Sequence, residues 1–156
     1  MIDLYTWHTP NGRKVSIMLE EIGMDYNVHS INIAKDEQFQ PHFLKVSPNN
    51  RIPAIVDKDN NNYSLFESGA ILMYLAEKSG KLINKSNSDE YYRTIEWLMW
   101  QMGGVGPMFG QVHHFVKYNK GKSVYAEERY SKEARRLYGV MDKRLGQHQY
   151  ISGNEY

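Results

Sequence analysis

Apolar residues alternate at the start of the chain, with Ile2 and Leu4 in a short run that reads as a strand over residues 2 to 5. The spacing then turns helical: Val15, Ile17, Met18, Leu19 and Ile22 share one face. Thr9 suits the N-cap, Pro10 the first helical position and Gly23 the stop. Tyr26, Val28, Ile31 and Ile33 predict a second strand. Residues 38 to 46 predict a short helix with Phe39, Phe43 and Leu44 turned inward. Ser47-Pro48-Asn49-Asn50 is a turn, Ile52 to Val56 a third strand opened by proline, and Asp59 to Asn62 a hairpin turn into a fourth strand, Tyr63 to Phe66. Glu67-Ser68 then open a helix that Gly80 ends. The order is βαβ, a short helix, then ββα.

Beyond residues 81 to 88 the pattern is helical only, with Ser88 as an N-cap. Tyr92, Ile95, Leu98, Met99 and Met102 space as one buried stripe. Gly103-Gly104-Val105-Gly106-Pro107 interrupts it, which predicts a bend and a close approach to the backbone. Val124 to Leu145 forms a second long helix with a charged outer side.

Composition narrows the function classes. Net charge is +1, from 19 basic and 18 acidic residues, so no electrostatic case exists for nucleic acid or a membrane surface as partner. The longest apolar run, residues 70 to 76, falls far short of the ~20 residues a spanning helix needs. The N-terminus lacks a basic region followed by an apolar one. A cytoplasmic protein is the expectation. Cysteine is absent, which removes any disulfide framework and any Cys-x-x-Cys redox pair at the strand-to-helix junction of residues 6 to 21. "QVHHF" places two histidines side by side, about 100° apart on a helix, unlike the i, i+4 pair that chelates zinc. His113 and His114 read as wall residues, and no metal is expected.

The βαβ–ββα order with Ile52-Pro53 before the third strand resembles a thioredoxin-type fold, in which that proline is cis and lies beside the redox site. Alone, Pro53 would fit an ordinary strand-start proline. "TPNGRKVSIMLEE", "SPNNRIPAIVD", "LFESGAILMYLAEK", "WQMGGVGPMFGQVHHF" and "YAEERYSKEARRLYGVMDKRL" together resemble the cytosolic glutathione transferases. The likeness is strongest to their bacterial Nu-class disulfide-bond reductase type, and it extends to the glutathione-binding region of the yeast nitrogen-regulating prion protein. In that family glutathione brings the thiol that this chain lacks. The resemblance implies an α/β thioredoxin-like N-terminal domain over residues 1 to 80, a linker over 81 to 88, and a partial all-α domain over 89 to 156. The family's helical domain continues past the point where "YISGNEY" stops, so the all-α domain is expected to be truncated relative to the family.

Residue by residue, the resemblance puts the thiolate beside Thr9 and Asn11, at the start of the first helix. A helix N-terminus carries partial positive charge, and hydroxyl, amide or backbone N–H donors favour thiolate over thiol. Glu67 and Ser68 suit the zwitterionic γ-glutamyl end: the hydroxyl and backbone N–H of Ser68 for its carboxylate, Glu67 for its ammonium. Ile52, ahead of Pro53, offers its peptide groups to the cysteinyl unit. Gln38, Asn50 and Arg51 fall where the glycine carboxylate would bind. Arg129, in "EERY", either reaches a γ-glutamyl carboxylate from a second subunit or is one more charge on a charged helix. Tyr5 is not assigned, and bulky Trp7 and His8 would narrow the acceptor site.

The expected activity is glutathione-dependent reduction of a small disulfide or peroxide. Conjugation of glutathione to an electrophile and a non-catalytic glutathione-binding regulatory module are the alternatives. A homodimer is expected, because the long helices carry more apolar surface than two of them can hide.

Overall fold

The computed structural model describes residues 1–156. They divide into two compact units, Met1–Ile83 and Asn84–Tyr156.

In the first unit, β1 (Ile2–Thr6) leads through a short loop to α1 (Pro10–Ile22) and then to β2 (Tyr26–Ser30). Single 3₁₀ turns at Ile33–Lys35 and Glu37–Phe39 precede a one-turn helix, α2 (Pro41–Leu44). β3 (Ala54–Asp57), β4 (Tyr63–Phe66) and α3 (Ser68–Ser79) complete the unit. The sheet order is β2-β1-β3-β4, with β1 parallel to β2 and the other two pairings antiparallel.

The pleat sorts the side chains of β1. Ile2 and Leu4 point to one face, where they join Ile55 and the inner sides of α1 (Val15, Leu19) and α3 (Ile71, Leu75), all fully buried. Asp3 and Tyr5 point to the other. There Ile31, Phe43 and Ala54 form a smaller cluster with Tyr5 and Ile52 packed against it. Asp3 is also buried, and it is held by Lys58 Nζ at 3.0 Å, Asn27 Nδ2 at 3.1 Å and His29 Nε2 at 3.4 Å. Tyr5 stacks its ring on His29 at 4.7 Å.

α1 has the predicted ends. Thr9 Oγ1 accepts from Gly12 N at 3.2 Å, and Gly23 takes the left-handed conformation that closes the helix. Other expectations need correction. β2 stops at Ser30, and Ile31 is buried as a loop residue rather than a strand residue. The cause is local: Asn32 caps the next turn by accepting from Ala34 N at 3.0 Å, which pulls Ile33 into a 3₁₀ turn. The short helix begins only at Pro41, and of its expected inward residues only Phe43 is buried. Phe39 falls in the 3₁₀ turn before the helix, and a single helical turn has one inner face, which Phe43 takes, so Phe39 and Leu44 stay exposed. β3 begins at Ala54, after Ile52-Pro53, and that peptide bond is cis.

In the second unit, Ser88 caps α4 (Asp89–Trp100) through a 3.1 Å bond from Tyr91 N. The glycine run does not end the helix. It widens it into a π-helical turn, Gln101–Val105, which continues as α5 (Gly106–Val112) and a second π turn, His113–Tyr118. A Cβ on Gly104 would lie 3.6 Å from Leu137 Cδ2, so close approach occurs there, while Gly103 faces open space. α6 (Val124–Leu145) buries Ala134 and Leu137. The α4 stripe is not buried as a whole: Tyr92 and Met99 are exposed, and Ile95, Leu98 and Met102 are half-buried. Arg144 ties down the residues after α6. Its guanidinium donates to the carbonyls of Ile151 (2.9 Å) and Ser152 (3.2 Å) and lies over the Trp97 ring at 5.3 Å. No helix is long and apolar enough to cross a membrane.

Candidate functional site

Strand register brings distant sequence segments to one end of the sheet. Tyr5 pairs with Ala54 and Ala54 with Phe66, so the exit of β1, the entry of β3 and the exit of β4 lie side by side. The start of α1 carries Thr9 as its cap and Asn11 in its first turn, the turn before β3 carries Asn50, Arg51, Ile52 and cis-Pro53, and the start of α3 carries Glu67 and Ser68.

At α1 the geometry is tight. Thr9 N donates to Trp7 O at 2.7 Å, and Arg13 N donates to Thr9 O at 3.1 Å as the first helical bond. Gly12 is buried against this loop, and a Cβ there would meet Thr6 Oγ1 at 2.3 Å and Trp7 O at 2.6 Å. The Thr9 oxygen is used as an acceptor, which leaves its O–H proton free to donate. Asn11 is exposed in the first turn, ahead of the first helical bond, so its N–H also points out of the helix end. Trp7 and His8 lie beside this end with their rings 5.0 Å apart.

Before β3, Asn50 N donates to Ser47 O at 2.9 Å, and Ser47 Oγ donates to Arg51 O at 2.8 Å. Asn50 has φ +48°, a left-handed conformation that asparagine tolerates better than most residues. These bonds fix the Arg51 backbone while its side chain stays exposed. Ile52 lies just outside the β3 ladder, whose register begins at Ala54.

Glu67 precedes α3 with φ +73° and ψ 115°, a strained backbone for a side chain of this size. Ile71 N donates to Glu67 O at 2.9 Å as the first helical bond, so the amides of Ser68, Gly69 and Ala70 precede the ladder. Ser68 is buried and Glu67 is exposed.

Sequence reasoning missed two polar contacts at this end. Asn49 Nδ2 donates to Glu67 Oε1 at 3.4 Å. Lys14 Nζ, from the second turn of α1, donates to Ser68 Oγ at 3.4 Å. Burial pushes the Lys14 pKa below the ordinary lysine value, and the negative charge of Glu67 opposes that shift. Lys14 lies three residues after Asn11, and that helical spacing was the one available signal for a shared face.

Gln38 sits apart from these contacts. It is buried, its Nε2 donates to Asp36 Oδ1 at 3.4 Å, and its Oε1 has no partner. What it leaves unpaired is an acceptor, whereas a carboxylate needs donors, so a role at a carboxylate falls to Nε2. Arg129 belongs to the second unit, where it lines an open groove of about 740 Å³ with Tyr125, Lys132, Glu133 and Arg136. His113 and His114 are exposed on that unit. No three His, Asp or Glu side chains gather as a metal cage.

The assembled end offers helix-start donors at α1 for one anion, helix-start donors at α3 for another, a carboxylate at Glu67 for a cation, and peptide groups at Ile52 for an extended chain. Comparison with known proteins fits this geometry. The sequence model for the glutathione S-transferase N-terminal domain matches residues 1–77. The disulfide-bond oxidoreductase YfcG of Escherichia coli is 48% identical over 160 residues, and the match covers 100% of this chain and 74% of that protein. A glutathione transferase family member from Pseudomonas fluorescens, solved with two glutathione bound, superposes with a TM-score of 0.94 at 52% identity, covering 99% of this chain and 70% of that one. A glutathione transferase from Pseudomonas putida, with one glutathione disulfide per subunit, superposes with a TM-score of 0.91 at 47% identity, covering 99% and 69%. The chain belongs to the glutathione S-transferase family.

Proposed function

We propose that this chain is a glutathione-dependent thiol-disulfide oxidoreductase that also reduces peroxides. One observation carries the reading. A chain without cysteine places an anion-favouring helix start, Thr9 to Gly12, beside cis-Pro53 and beside the Glu67–Ser68 helix entry. The names and bound molecules of the relatives support it: a disulfide-bond oxidoreductase, and structures holding glutathione or its disulfide.

In this reading residues 1 to 80 form the glutathione-binding domain, 81 to 88 a linker and 89 to 156 a helical domain. Glutathione is a co-substrate. Glu67 takes its ammonium and Ser68 its γ-glutamyl carboxylate. The peptide groups of Ile52 take the cysteinyl unit. Gln38, Asn50 and Arg51 take the glycine carboxylate. Thr9 and Asn11 donate to the sulfur and hold it as thiolate. That thiolate attacks one sulfur of a small disulfide, giving a mixed disulfide and releasing the other sulfur as thiolate. A second glutathione then attacks the mixed disulfide, giving glutathione disulfide and the second thiol. With a peroxide, attack on oxygen gives a sulfenic acid and an alcohol, and the second glutathione releases water.

The same reading includes a cytoplasmic location and a homodimer in which Arg129 reaches a neighbour's ligand. The exposed Tyr92, Met99, Tyr125 and Tyr138 support an association surface on the second unit. Light scattering should give a dimer whose melting temperature rises with glutathione, and a monomer without such a shift would remove this part. The activity is tested by supplying glutathione with either hydroxyethyl disulfide or a chlorinated aromatic. Faster turnover of the disulfide is expected. Faster conjugation of the aromatic would replace the oxidoreductase reading with a transferase one, and turnover of neither would leave a binding module.

A further inference from the structure

Asn11 is the one asparagine of this chain that is followed by glycine, and that pair has a chemistry of its own. A backbone nitrogen can attack the side-chain carbonyl carbon of an asparagine that precedes it, and the side chain on the attacking residue normally hinders the approach. Glycine has none. Here the glycine is also imposed by packing, because a Cβ on Gly12 would lie 2.3 Å from Thr6 Oγ1 and 2.6 Å from the Trp7 carbonyl oxygen. The loop that needs Gly12 therefore sets a reactive nitrogen next to the Asn11 amide. Two features of the fold restrain it. Gly12 is buried, and its N–H donates to Thr9 Oγ1 at 3.2 Å, which holds the proton that the attack must remove. The helical backbone of α1 also keeps that nitrogen out of line with the Asn11 side chain. Asn11 itself is exposed, so water reaches its amide.

We propose that Asn11 is a deamidation site guarded by the Thr9 cap. When the first turn of α1 opens, the Gly12 nitrogen gives up its proton and bonds to Asn11 Cγ. The bond from Cγ to the side-chain nitrogen breaks, and that nitrogen leaves as ammonia, carrying the proton. One water molecule then opens the five-membered imide at either carbonyl, giving aspartate or isoaspartate with no change of oxidation state. Either product puts a carboxylate where an amide stood. The consequence for activity rests on the glutathione reading above: a carboxylate can only accept beside the sulfur, and its charge opposes a thiolate. The cap thus sets the working life of the site as well as the start of the helix. A ligand held by Thr9 and Asn11 keeps the turn closed and slows this ageing.

Peptide mapping of the full chain during incubation at mildly alkaline pH tests this. The amide-to-acid mass gain is read in the tryptic segment Met1–Arg13, where Asn11 is the only side-chain amide. Thr9→Val keeps the shape of the cap but loses its acceptor. It should raise the Asn11 rate about threefold to tenfold, the factor by which loss of an N-cap shifts a local opening. Thr9→Ser keeps the acceptor and should stay within about twofold of wild type. Ile71→Val weakens the buried core of the same unit by a comparable amount without touching the cap, and it should also stay within about twofold. Thr9→Ala serves if the valine variant does not fold. Equal acceleration by Thr9→Val and Ile71→Val would show that Asn11 reacts only through global unfolding and would overturn the proposal. An Asn11 rate unchanged by loss of the cap would overturn it too. A wild-type chain that deamidates as expected but binds no glutathione in calorimetry would instead remove the glutathione reading and leave the modification site standing.

Discussion

Tyr5 and Ala54 face each other across the antiparallel pairing of β1 and β3, and this register decides where the site lies. It sets the loop into α1 against the turn that ends in cis-Pro53. Shifting the pairing by one residue would send Ile2, Leu4 and Ile55 to the wrong face of the sheet, so the core and the site are specified together.

Gly12 is where this arrangement has no slack. Its missing Cβ would fall 2.3 Å from Thr6 Oγ1 and 2.6 Å from the Trp7 carbonyl, and the latter is backbone. Gly12→Ala should destabilise the chain by about 1–3 kcal/mol, the usual cost of overpacking, and weaken glutathione binding in parallel. Thermal melts and calorimetry on the same variant check this. A folded variant of unchanged melting temperature would show that the loop can retreat.

Glu67 carries its exposed carboxylate, which accepts from Asn49 Nδ2, on a strained backbone. Glu67→Ala should weaken glutathione by about 1.5–3 kcal/mol, the worth of a charged hydrogen bond. It should leave stability nearly unchanged, because the Ile71 N to Glu67 O bond that starts α3 is a backbone bond. Calorimetry showing wild-type affinity would take Glu67 out of the site.

Asp57 is fully buried at the end of β3, where Lys78 Nζ lies 2.8 Å away and Tyr74 OH donates at 2.5 Å. Burial alone would raise its pKa, but the bonds from Lys78, Tyr74 and the Asp59 amide together hold it below the usual carboxylate value. Its folded pKa is therefore below the unfolded value of about 3.9. Its stabilisation is complete above that value and is lost as pH falls through the folded pKa. Asp57→Asn should cost about 1–3 kcal/mol at neutral pH, less than a fully buried pair because Lys78 is partly exposed. It should also flatten the acid limb of the stability profile. Asp3, whose pKa is likewise lowered despite burial, keeps part of that limb. Denaturant melts from neutral to acid pH that match wild type in slope would contradict this account.

What the sequence disclosed was local. Thr9, Pro10 and Gly23 announce α1 by their own backbone chemistry, and Asp59 to Asn62 announce the hairpin. Alternation at Ile31 and Ile33 looked like more strand, because a buried loop residue and a strand residue carry the same apolar signal. Asn32 decided the matter through a cap that periodicity does not register. In α4, spacing marked Tyr92 and Met99 as sharing a face, but a shared face is not a buried one. The Lys14–Ser68 contact joins two helices through the tertiary fold, and no local pattern encodes it.

The start of α1 should hold the thiol of glutathione as a thiolate, in a chain with no cysteine of its own. The ultraviolet absorbance of the thiolate, followed against pH with glutathione bound, tests it most directly. The bound thiol should titrate clearly below its free value of about 8.5. Asn11→Ala should move it back toward that value and slow turnover about 10²-fold, the size of one lost oxyanion-type donor. A bound thiol that titrates at the free value in the wild-type chain would contradict the account.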